Sequence, residues 1–200
     1  MKPAKSPQET LPPFGPTFHP KIAERLFASR TILIHGEITS RLAQEVTAQL
    51  LAMSAESDND ITIVLHSEGG HVEAGDSIHD MIHFVKPRVR IVGTGWVASA
   101  GTHIFLAAAK EDRLCLPNTR FLIHQPSGGV GGRATDIVIE AEQMLKMRER
   151  LNHVIADATG QPYEKVVKDT ERNHWMSADD AKEYGIVGRI IRSVAEIDAK

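Results

Sequence analysis

Residues 61–109 read ITIVLHSEGGHVEAGDSIHDMIHFVKPRVRIVGTGWVASAGTHIFLAAA. ITIVLHS is rich in β-branched residues and runs into the turn EGG, which reads as a strand and its stop. Residues 75–85 place apolar side chains at helical spacing, and Lys86-Pro87 ends that run. VRIVGTGWV predicts a second strand, and residues 98–109 are apolar enough for a buried helix. The alternation continues on both sides. Upstream, KIAERLFASR (21–30) predicts a short helix, TILIHGEI (31–38) a strand, and residues 41–54 a helix with Leu42, Val46, Leu50 and Leu51 at its spacing. Downstream, FLIHQP (121–126) predicts a strand closed by Pro126, followed by the glycine-rich run SGGVGG. A long helix from about Thr135 to Ala158 has an apolar face that includes Ile137, Ala141, Met144, Leu145, Leu151 and Ile155, and Thr159-Gly160 is its C-terminal stop. A second helix and IVGRII (186–191) close the chain. Alternating strands and helices give an α/β domain, and no internal repeat is visible.

The 200 residues, 42% apolar and 24% charged, are ordinary for a soluble globular chain. That length suggests one domain with an appended arm. Six of the ten prolines fall in residues 1–20, so that segment is expected to be a flexible arm and residues 21–200 a single domain. A net charge of −3 with interspersed signs offers no electrostatic reason to expect nucleic acid or an anionic membrane as partner. The apolar runs are too short to span a bilayer, and Met1 is followed by a polar, Pro-rich stretch that is neither signal peptide nor anchor. The one cysteine, Cys115, cannot form an internal disulfide, which fits a reducing, cytoplasmic setting.

Ser99 and His124 are the candidates for chemistry. Ser99 opens the predicted buried helix, where free N–H groups stabilise negative charge. Gly93, Gly95, Ala98, Ala100 and Gly101 clear space around it for a substrate backbone. Small-residue helix packing explains the same pattern. His124 sits at a strand end before a proline, either as a base or as a histidine satisfied by backbone. SEGG (67–70) is a strand-to-helix turn whose amides face a ligand or simply turn the chain. His79 and His83 have the i, i+4 spacing of a zinc helix, but Asp80 stands where the general base should be and no third ligand has a persuasive spacing. Two histidines on an exposed helix face explain them better, and no metal or cofactor is expected.

Five blocks then occur in one order: GWVASAGT, LPNTRFLIHQPSGG, GRATDIVIEAEQMLKMRERLN, TGQPYEKVVKDTER and MSADDAKEYGIV. From about Thr31 to Ile191 the chain resembles the proteolytic subunit of ATP-dependent Clp protease, ClpP. The resemblance implies a crotonase-like α/β fold with a protruding handle helix, assembling into two stacked seven-membered rings that enclose a chamber. It implies a serine endopeptidase that cleaves unfolded chains delivered by an AAA+ Clp ATPase, itself the consumer of ATP. Ser99 falls at the family's nucleophile, His124 at its base, and Gly70 and Ala100 at its oxyanion-hole amides. Gly70, Val72, Ser127 and Gly129 fall where two strands sandwich an extended substrate through main-chain hydrogen bonds, a mode that reads backbone more than side chains. The helix over 135–158 matches the handle that interlocks the rings. Arg133, Glu171 and Arg172 match oligomerisation positions, the latter two linking ring–ring contact to triad geometry.

The sequence departs from the family pattern at four places. The third triad position, normally Asp, is Asn173, which offers a carbonyl oxygen but no charge. Asp169 and Glu171 are close by in sequence as substitutes. The usual turn proline is Glu68. At Thr62 and Val64 the family tends to have tyrosines that line the docking pocket for the ATPase loops, and the N-terminal segment lacks the usual gating pattern. These departures leave open a second function, a weakly active structural or regulatory subunit that forms rings with a more active paralogue.

Overall fold

A computed structural model of the chain describes residues 19–129 and 131–198. Residues 1–18 of the expected arm lie outside the described residues. His19 caps the first helix, α1 (Pro20–Ala28), with its side chain accepting from Lys21 N–H at 3.3 Å. The chain then runs β1 (Thr31–His35), α2 (Ser40–Glu56), β2 (Ile61–Ser67), α3 (Val72–Phe84), β3 (Val89–Ala98) and α4 (Ala100–Phe105). It continues through β4 (Arg113–Cys115), β5 (Arg120–Ile123), α5 (Ala134–Thr159), α6 (Tyr163–Thr170), β6 (His174–Met176), α7 (Ala178–Tyr184) and β7 (Arg189–Ile190).

The strands form one sheet in the order β1-β2-β3-β4-β7, all parallel, with β5 parallel to β3 and β6 antiparallel to β5. β3 serves two neighbours in turn. Ile91–Gly93 pairs with β4, and Trp96–Ala98 pairs with β5. Between those halves the register to β2 slips, from Leu65 opposite Gly93 to Ser67 opposite Val97. The His66 ring fills the slip, its Nδ1 accepting from Trp96 N–H at 3.1 Å. The strand therefore bends there and carries its C-terminal end away from β4 toward β5.

β2 alternates buried and half-buried residues, with Ile61, Ile63 and Leu65 in the main core. Such alternation belongs to a sheet with one face covered more fully than the other. Val46, Leu50, Met53, Ile78 and Ile82 of α2 and α3 join that core, with Phe105 set edge-on to Phe121. Val92, Leu114 and Ile191 form a smaller cluster, and Thr62 and Val64 are half-buried.

Two readings need correction. The helix expected over 98–109 is only six residues long. Its chain leaves the helix at Leu106 and stays buried by packing. β4 and β6, three residues each, escape sequence reading because periodicity needs a longer window. α5 runs as expected and stops at Gly160, and of the apolar residues read on it only Ile155 is buried. Ile137 is 40% and Leu145 64% exposed, as are Val138 and Ile139 nearby, so the N-terminal half of α5 projects from the domain with apolar side chains uncovered. Among the described residues no helix is long and apolar enough to cross a membrane.

Candidate active site

β3 ends at Ala98 and α4 begins at Ala100, so Ser99 alone makes the turn from strand to helix. It does so at φ 55° and ψ −119°. That conformation costs a residue with a Cβ about 1–3 kcal/mol and persists only where its surroundings over-determine it. Here they do. Ser99 N–H donates to Leu122 O at 2.9 Å, and His103 N–H donates to Ser99 O at 3.1 Å. The Thr102 hydroxyl lies between Val97 O, at 2.7 Å, and Leu122 O, at 2.9 Å, stitching β3 to β5 beneath the turn.

His124 follows β5 directly, and its Nε2 lies 2.8 Å from Ser99 Oγ. In the neutral tautomer protonated at Nδ1, Nε2 accepts the serine hydrogen. Burial pushes the His124 pKa below the ordinary 6.5, which favours the neutral ring. Serine and imidazole thus stand in the relation of nucleophile and base.

Two main-chain amides flank them. Ala100 N–H is the first amide of α4 and has no intrahelical acceptor. Gly70 is bridged to Ile38, but the bridge skips its amide: Ile38 N–H donates to Gly69 O and His71 N–H donates to Ile38 O, each at 2.8 Å. The two glycines are needed for close approach. A Cβ on Gly69, at φ +102°, would lie 2.6 Å from Ser99 Cβ, and one on Gly70, at φ +150°, would lie 2.4 Å from Ile38 O. Gly69→Ala is therefore expected to push the nucleophile off its mark and lower kcat about 100-fold, since a displacement of about 1 Å costs that much. Peptide hydrolysis by the purified variant checks it, and a wild-type rate would contradict the packing.

The remaining candidates are placed less tightly. Val72 opens α3 and, with Ser99, His103, His124, Pro126 and Leu151, lines a small pocket of about 40 Å³. Ser127 and Gly129 are exposed and lie in backbone without regular structure. The two flanking substrate strands implied by the resemblance are thus not formed here: residue 72 is helical and 127–129 irregular. Arg133 immediately precedes α5, Glu171 and Arg172 lie between α6 and β6, and all three are exposed. Glu68 is exposed on the turn.

Asn173 is the partial case. β6 pairs with β5 as Ile123 opposite His174, so one step further the register sets Asn173 opposite His124. Gln125 N–H donates to Thr170 O at 2.6 Å and Gln125 Nε2 to Glu171 O at 2.9 Å, pinning the two segments together. Among the described residues, however, Asn173 makes no side-chain hydrogen bond to His124. Nor does Asp169 substitute: its carboxylate takes Lys165 Nζ at 2.7 Å and the Tyr184 hydroxyl at 2.9 Å. The Glu171 side chain makes no hydrogen bond or ion pair with His124 among the described residues. His79 and His83 sit with ring centroids 4.9 Å apart, and among the described residues no group of three or more His, Cys, Asp or Glu is arranged to hold a metal.

Sequence reading missed one group beside the pocket. His103, one turn below Ser99, is 7% exposed. Its Nε2 lies 2.8 Å from Asp76 Oδ1, and Arg150 of α5 takes both oxygens of the same carboxylate at 2.8 and 2.7 Å. The available signal was the i, i+4 spacing of Ser99 and His103; the partners come from other helices.

The Clp protease family matches residues 17–194. The chain is 61% identical over 172 residues to the ATP-dependent Clp protease proteolytic subunit 3 of Rhizobium meliloti, across 86% of this chain and 88% of that one. It is 57% identical over 175 residues to proteolytic subunit 2 of Gluconobacter oxydans, across 86% and 78%. Among solved structures it resembles ClpP1 of Listeria monocytogenes, at 53% identity and a TM-score of 0.81 over 88% of this chain and 99% of that one. An Asn-to-Asp mutant of that protein superposes with the same identity and coverage and a TM-score of 0.83.

Proposed function

The chain belongs to the Clp protease family and is a serine endopeptidase of the ATP-dependent Clp type, and we propose that Ser99 is its nucleophile and His124 its general base. The 2.8 Å approach of His124 Nε2 to Ser99 Oγ carries this reading. Ser99 Oγ attacks the scissile carbonyl while His124 Nε2 takes its proton. The carbonyl oxygen becomes an oxyanion that receives the Gly70 and Ala100 N–H groups, the second reinforced by the positive end of α4. The C–N bond then breaks, His124 returns the proton to the leaving amine, and water releases the acyl group by the same steps in reverse order. Asn173 is the third member once its side chain turns in, its carbonyl oxygen then accepting from the imidazole Nδ1–H. The chemistry uses side chains and amides of the chain alone.

The substrate is an unfolded polypeptide laid beside Gly70, Val72, Ser127 and Gly129. The irregular backbone at 127–129 becomes a strand only when a peptide supplies the pairing. The protein works as an oligomer with a Clp ATPase in the cytoplasm, and its subunits form two stacked heptamers. The uncovered apolar residues of α5 and exposed Arg133, Glu171 and Arg172 provide the contact between rings.

A fluorophosphonate probe is expected to label the assembled protein at Ser99 at neutral pH, read by mass spectrometry of the modified peptide. No labelling, or labelling elsewhere, would refute the assignment. Because burial holds the His124 pKa down and Asn173 adds no opposing negative charge, the base stays unprotonated into mild acid. The acid limb of kcat/KM against pH should have its midpoint below 6.5, and a midpoint above 7 would place a carboxylate against the ring.

A further inference from the structure

His103 is a buried imidazole where a nonpolar ring would be cheaper. Its environment comes from three helices. Asp76 of α3 lies 2.8 Å from Nε2, and His79 of α3 stacks on its ring with centroids 4.4 Å apart and planes 6° from parallel. Arg150 of α5 donates to both oxygens of the Asp76 carboxylate, sharing Oδ1 with His103. Although burial alone would raise it, His103 and Arg150 hold the Asp76 carboxyl well below the usual carboxylate range. The ring's one polar contact, Nε2 to Asp76, is short but poorly aligned, and Nδ1 has no hydrogen-bond partner. A buried polar ring left so is a net cost, and an apolar ring of the same shape removes it. Stability therefore does not account for His103.

What His103 does have is position. α4 is too short to be stable by itself, and it carries the strained turn at Ser99, whose carbonyl accepts the His103 N–H. Arg150 sits where α5 passes from its projecting half into the packed segment that buries Asn152 and Ile155. We propose that His103, held through Asp76 to Arg150, is a positioning residue for Ser99, fixing α4 and the nucleophile's turn to the base of the projecting helix. The inference rests on Ser99 being the nucleophile. Any shift of α5 on assembly then reaches Ser99 through one carboxylate.

His103→Phe, measured on the gel-filtered assembly, is expected to leave Tm unchanged or higher while kcat and the rate of fluorophosphonate labelling fall about tenfold with KM little changed. His103→Gln, whose amide can donate to Asp76, should recover most of that loss. Asp76→Asn, which keeps volume and removes the charge, should reproduce the loss of kcat and stands in if the phenylalanine does not assemble. Wild-type kcat in His103→Phe or in Asp76→Asn overturns the proposal, as does a glutamine variant no better than phenylalanine. In those cases labelling of Ser99 in the wild type leaves the nucleophile assignment intact. If the wild type itself is not labelled, both fall.

Discussion

Ser99→Ala will abolish peptide hydrolysis, lowering kcat by roughly six orders of magnitude, as removal of a catalytic serine does elsewhere. The fold should not notice. Alanine keeps the Cβ that Gly69 packs against and adopts the same backbone at similar strain, so the stability change should stay within about 1 kcal/mol. What is lost is the one oxygen that His124 Nε2 approaches at 2.8 Å. Hydrolysis of a small fluorogenic peptide by the gel-filtered assembly is the measurement, with Tm alongside. A variant that keeps more than about one per cent of the wild-type rate would mean that the serine is not the attacking group.

Asn173→Asp will raise kcat, by about 100-fold, toward small peptides. In a serine protease with the reverse exchange the loss is about 10⁴, because amide in place of carboxylate favours the wrong tautomer and leaves the imidazolium without a counter-charge. A smaller gain is expected here because the side chain must also turn in: Asn173 is exposed and makes no side-chain hydrogen bond to His124. An aspartate has a reason to turn, since the proton that His124 takes from Ser99 creates a positive ring opposite it in the β5–β6 register. The same charge lifts the imidazole pKa, so the acid limb of the pH profile must move upward together with the gain in kcat. An unchanged rate with an unchanged acid limb would show that residue 173 does not reach the base. The assembly size must be followed in parallel, because Glu171 and Arg172 lie immediately before it.

The α/β class was readable because β2, α3 and β3 follow one another with unambiguous periods of 2 and 3.6 and a proline between. The nucleophile was harder: GWVASAGT is as compatible with tight helix packing as with a serine elbow. The family resemblance, not the local pattern, separated the two. His124 was named from a strand end, with nothing in FLIHQP to say that β5 would lie against the far half of β3. That pairing exists because β3 slips register around His66 and swings its last residues away from β4. The apolar stripe of α5 is legible from its spacing, but that its first half faces away from the domain is not, since periodicity reports that a face wants cover and not where the cover comes from.

By itself the sequence determined the order of the longer strands and helices and the small-residue path beside Ser99, because each depends on side chains near one another in the chain, and the resemblance added the loss of a carboxylate at residue 173. Only the tertiary structure decided that Ser99 and His124 meet, that the β5–β6 register sets Asn173 opposite the base without a hydrogen bond to it, and that Asp76 joins His103 to Arg150. Those contacts link residues 25 to 74 positions apart, and no local preference encodes a distance that is set by how the sheet bends and the helices pack.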